Sequence, residues 1–174
     1  MLMIVDDMTQ EAIQEELTKA NSPLTKEMVV VSAKKYGVPL SYLMAFMKND
    51  STYGTKWLAV DTYNPGNVGN MDGGSTYNFL YIDFKYKTWP QVSSPSIAWT
   101  NGVDAAAENL KARIDAYHTQ FGETVNPTPA ELASGKKAGT NEKFFGVYMT
   151  AEGGPAAVQS IQSDISDIPE NTQA

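Results

Sequence analysis

A chain of 174 residues suits one domain, and 42% hydrophobic against 19% charged residues supports a packed core while excluding disorder, collagen and coiled coil. Lys+Arg 13 against Asp+Glu 20 gives a net charge of −7 with no cluster of cations, which excludes nucleic acid as an expected partner. Cys 0 and His 1 remove disulfides, thiolate metal sites and cysteine nucleophiles, and leave a zinc site or a Ser-His-Asp triad without parts, so chemistry falls to carboxylates, hydroxyls, amides and aromatics.

The opening MLMIVDDMTQ has no basic n-region, and two aspartates stand where an apolar run would continue. Cytoplasmic synthesis without a signal peptide is expected, and no stretch is apolar enough for membrane insertion. Asp7 and Thr9 precede a helical pattern to about Ala20, broken at Asn21-Ser22-Pro23. Thr25 caps a second helix that stops at Gly37. Pro39 and Ser41 start a third, with Leu43, Met44, Phe46 and Met47 as its apolar face, ending near Asp50. Ser51 to Gly74 reads as loop. Thr76 to Lys87 is dense in aromatic and branched residues and reads as a strand, one arm of a hairpin turned at Asp72-Gly73-Gly74.

Thr88 to Trp99 reads as a second loop. The longest helix follows, with Val103, Ala106, Ala107, Leu110, Ile114, Tyr117 and Phe121 at three-and-four spacing and Gly122 at its end. His118 falls on its polar side and is expected to be exposed to solvent. A short helix near Ala130 to Ser134, the aromatic NEKFFGVYMTAEGG and a last helix opened by Pro155 complete the chain. The expected fold is mainly α (α+β): one domain over 1–174, with a helical extension at 1–24, a small β-hairpin after the third helix and a loose tail at 168–174.

Within the third helix, Phe46 and Met47 stand at i−4 and i−3 from Asp50, and Leu43 at i−7. A carboxyl on that face is poorly solvated, which raises its pKa and suits a general acid. The competing reading is that Asp50 caps the amides of the turn that follows.

YGVPLSYLMAFMKNDSTYGT followed shortly by NPGNVGN resembles the lysozyme-like superfamily, in its endo-β-N-acetylglucosaminidase and lytic transglycosylase branch, many of them phage-borne. Tyr36, Gly37, Val38 and Pro39 match the opening of the motif, Ser51, Tyr53 and Gly54 the segment after the acid, and Asn64, Pro65, Gly66 and Asn67 the loop. The resemblance covers residues 25 to 120. The family acid is usually Glu, and here Asp50, one methylene shorter, is aligned with it.

The resemblance implies a lysozyme-like fold with Asp50 as catalytic acid, and Ser51, Tyr53, Asn64, Gly66, Asn67 and Tyr148 at the sugar. No cofactor or metal is implied. Asp72 is the second catalytic candidate, with Asp61 and Asp83 behind it; it equally fits an ordinary turn residue. Substrate assistance by an acetamido group or a 6-hydroxyl would dispense with a second acid. Asn64 and Asn67 also fit Asx-turn scaffolding. Trp57, Trp89 and Trp99 are further aromatics for stacking or for packing. The expected activity is peptidoglycan cleavage by a phage-encoded, virion-associated protein or one released at lysis, with peptidoglycan and virion proteins as partners. The alternatives are a non-catalytic virion or glycan-binding protein with the same fold, and a helical structural protein.

Overall fold

Local caps set most helix boundaries in the computed structural model, which describes residues 3–69, 76–84, 88–149 and 153–167. Thr9, Thr25, Ser94 and Thr128 stand in extended backbone, each accepting a hydrogen bond from the amide three residues on. They open α1 (Gln10–Lys19), α2 (Lys26–Tyr36), α5 (Pro95–Phe121) and α6 (Pro129–Ser134). Gly37 ends α2 in the left-handed region at φ 67°. Pro39 precedes α3 (Leu40–Ser51), and α4 (Leu58–Thr62) and α7 (Gly154–Ile165) complete a mainly helical fold among the described residues.

α3 is the axis of the molecule. Every residue from Leu40 to Met47 is buried, because α2, α5 and α7 all pack against it. Val29 and Ala33 of α2, Val103, Ala106 and Leu110 of α5 and Val158 of α7 share its core cluster, and α1 adds Ile13 and Leu17. A helix enclosed on all sides needs apolar residues on all sides, and LSYLMAFM supplies them.

The start of α3 is fixed by polar groups as well. Buried Asp7 accepts from the Ser41 amide at 2.8 Å and from the Ser41 hydroxyl, and Gln162 of α7 donates to that hydroxyl at 2.9 Å. Segments from both halves of the chain thus hold one end of the helix, and its other end delivers Asp50 to the loop.

Four local expectations are corrected. Residues 51–74 are not loop throughout, since α4 lies within them. α5 begins at Pro95, so the stretch from Thr88 to Trp99 already contains its first turn. His118 is half-buried and hydrogen-bonded to Asn126 at 3.0 Å. Among the described residues, the expected hairpin is reduced to a lone antiparallel bridge between Tyr81 and Gln91. Instead of alternating across a sheet face, Tyr77 and Phe79 both turn onto Phe84, with ring centroids 4.8 and 4.9 Å apart. Asn78 closes the turn, its side chain accepting from the Leu80 amide and its amide donating to the Phe84 carbonyl. The proposed turn at 72–74, residues 85–87 and the tail from 168 lie outside the described residues.

Candidate functional site

α3 is capped by Thr52, where the backbone turns left-handed at φ 48°. Among the described residues, five of the six non-glycine residues with positive φ lie between here and Asn67: Thr52, Tyr53, Trp57, Tyr63 and Asn67. Such conformations disfavour L side chains and persist only where the surroundings impose them. Those surroundings can be named. Ser51 is fully buried; its hydroxyl donates to the Pro65 carbonyl at 2.6 Å and accepts from the Gly54 amide at 2.8 Å. Asn64, also fully buried, donates to the Val68 and Tyr77 carbonyls and to Thr76, and accepts from the Val68 amide. Tyr53 is buried, its hydroxyl donating to Glu16 at 2.8 Å. Lys48 donates to the same carboxylate oxygen at 2.8 Å.

Ser51, Tyr53 and Asn64, expected at the sugar, are buried here and spend these polar atoms on the protein, fixing the loop. Burial alone would raise Glu16, but the hydrogen bonds from Lys48 and Tyr53 outweigh it and hold the carboxyl below its usual value. Burial and then the Glu16 charge push the Tyr53 phenol up. Gly66 is buried beneath α5, where a Cβ would meet that of Ala106 at 2.8 Å, and its carbonyl accepts from the Tyr148 hydroxyl. Its part is close packing and orientation of Tyr148.

Asp50, Asn67 and Tyr148 are brought together. The Asn67 amide group donates to the Asp50 backbone carbonyl at 3.0 Å, and the Tyr148 hydroxyl interacts with the Asp50 carboxyl. Tyr148 packs edge-on against Phe46 at 5.0 Å, and its amide donates to Ala133 at 2.9 Å. Burial pushes the Asp50 carboxyl from its usual 3.8 up to about 7, against the opposing pull of hydrogen bonds to Tyr148 and Asn49. Burial and the neighbouring Asp50 raise Tyr148 as well. Oδ2 of Asp50 and Oδ1 of Asn67 are buried acceptors with no hydrogen-bond donor among the described residues. A proton on Asp50 removes the charge from one of them, so the neutral acid fits this site better than the carboxylate.

Asp72 lies outside the described residues. Asp61 is exposed on α4. Trp57 and Trp89 are largely exposed, at 68% and 54%, whereas Trp99 is buried against Tyr63 and beneath Gly54. Among the described residues, no group of three or more His, Cys, Asp or Glu gathers as a metal site, and no helix is long and apolar enough to cross a membrane.

No protein-family model matches the sequence, and no curated protein matches it.

Sequence reasoning passed over two contributors. Glu16 sits in what reads as a peripheral helix, and nothing local ties it to Tyr53. Arg113 does carry a signal: it falls three residues after Leu110 and four before Tyr117, on the apolar stripe of α5, where a charge needs a reason.

Proposed function

We propose that this chain is a lysozyme-like domain that cleaves an N-acetylglucosamine-containing glycan, peptidoglycan above all, with Asp50 as general acid. The observation that carries the reading is the Asp50 carboxyl, in the last turn of a buried helix and raised to about 7 by burial. Such a group still holds a proton near neutral pH and can give it to a leaving oxygen. In the proposed step the Asp50 proton passes to the glycosidic oxygen as its bond to the anomeric carbon breaks. The substrate's own acetamido oxygen or 6-hydroxyl attacks that carbon, and in the second case the ionised Asp50 takes up the hydroxyl proton. In this reading the Asn67 amide oxygen, which has no donor among the described residues, accepts from a sugar N–H or hydroxyl. The net charge of −7 repels an acidic wall, which fits delivery by a phage particle better than free adhesion.

A second reading is a non-catalytic glycan-binding or virion protein that keeps the fold. It is favoured by one specific observation, the burial of Oδ2 on a side chain one methylene shorter than the family's Glu. Incubating the chain and an Asp50→Asn variant with peptidoglycan, and identifying released muropeptides by mass spectrometry, separates the two. Products from the parent alone are expected, and an anhydro end would identify transglycosylation. Absence of products from both, with glycan binding retained, establishes the second reading.

A further inference from the structure

Arg113 is 6% exposed, and none of the ion pairs among the described residues includes it. Its guanidinium carbon lies over the rings of Phe145 and Tyr148, 4.7 and 4.9 Å from their centroids. Nη1 donates to the Gly146 carbonyl at 2.6 Å and the Leu132 carbonyl at 3.1 Å, and Nε to Asn109 at 3.4 Å. Burial lowers its pKa to about 10, which leaves it charged at neutral pH. A buried cation without a counter-ion is an expensive way to fill a place in an apolar stripe that Leu or Met would fill. What a guanidinium adds is a flat, delocalised cation that lies over two aromatic rings while its N–H groups still reach backbone carbonyls and Asn109.

We infer that Arg113 is a positioning residue that holds the Tyr148 hydroxyl against Asp50, an inference that rests on Asp50 being the acid of the proposed function. Tyr148 has one phenolic proton and two acceptors within reach, the Gly66 carbonyl and the Asp50 carboxyl. With Asp50 protonated, the phenol donates to Gly66. With Asp50 ionised, it is the donor for the new charge. Hydrogen bonds to charged groups are the stronger kind, so a well-placed Tyr148 eases ionisation of the acid and keeps its pKa from climbing further. The other group at the carboxyl is Asn49, which carries no charge; Asn67, also uncharged, holds the Asp50 backbone carbonyl, and the Lys48 ammonium on the same helix end is engaged by Glu16.

The test is the titration of the Asp50 carboxyl by 13C NMR in the full chain, without glycan. Arg113→Met is expected to raise the midpoint by roughly half to one pH unit. Tyr148→Phe is expected to raise it likewise, and the double variant to match Tyr148→Phe alone. Arg113→Lys keeps the charge but not the flat cation over the rings, so it is expected to move the midpoint as Arg113→Met does. An unchanged midpoint in both Arg113 variants, or an undiminished Arg113→Met shift in the Tyr148→Phe background, overturns the inference. So does wild-type behaviour in Arg113→Lys, which would reduce the effect to charge. Should Arg113→Met not fold, Phe145→Leu removes one of the two rings at a residue 37% exposed and must move the midpoint in the same direction. No glycan enters this titration, so an inactive parent leaves its outcome standing, and an active parent does not prejudge it.

Discussion

Asp50 couples folding to pH through its raised native pKa. Its carboxyl titrates near 7 in the native state and near 3.8 when unfolded, so between those values the native chain holds a proton that the unfolded chain has lost. The sign follows: this contribution to stability is full below about pH 4, declines as pH rises, and is gone above about pH 7. Its span is at most about 4 kcal/mol. Asp50→Asn removes the dependence. Urea unfolding of both proteins from about pH 4 to about pH 8 is therefore expected to show wild-type stability falling relative to the variant; parallel curves would place the native carboxyl at an ordinary pKa. Glu16 acts in the opposite sense: its lowered pKa gives stability above the usual 4.5 that is lost on further acidification. The burial of Asp50 was legible in the apolar residues at i−3, i−4 and i−7 of its own helix, whereas Tyr148 at its carboxyl comes from a remote segment. The buried fate of Tyr53 was not, since its partner Glu16 stands 37 residues away.

Between elements, two positions set how α3 and α5 meet the loop. Thr52 is a β-branched residue in the left-handed turn that ends α3, where glycine is the residue of choice. Thr52→Gly should relieve about 0.5–1 kcal/mol and raise the melting temperature, the relief being partly offset by the freer unfolded chain. Gly102 is the converse. In a helix interior Gly→Ala normally gains about 1 kcal/mol. Here the added Cβ would collide with the Tyr63 carbonyl oxygen, so Gly102→Ala is expected to destabilise by about 1–3 kcal/mol, read from denaturant midpoints. Caps were readable because each acts within three residues, as Thr25 and Gly37 illustrate. α4 was not: it is five residues long and opens on Trp57, at positive φ and without a side-chain cap. The aromatic run after residue 76 has strand composition, but Tyr77, Phe79 and Phe84 satisfy one another, and composition carries no record of such pairing.

At the scale of the whole molecule, the charge of −7 opposes approach to an acidic glycan wall. If the proposed activity is present, raising salt from about 0.02 to about 0.2 M should increase the initial rate on intact walls, because added ions screen a repulsion. Short neutral oligosaccharides should show no such gain, and a rate that falls with salt on both would count against a repulsive field. The tie among Asp7, Ser41 and Gln162 has a kinetic consequence. It joins residues 34 and 121 positions apart in the chain, so the helix that carries Asp50 is anchored only after remote segments have found one another. Contacts of such separation form slowly and late. Refolding near pH 6 should then take up a proton in its closing phase, and a pH-indicator dye in a stopped-flow mixer would time the assembly of the site.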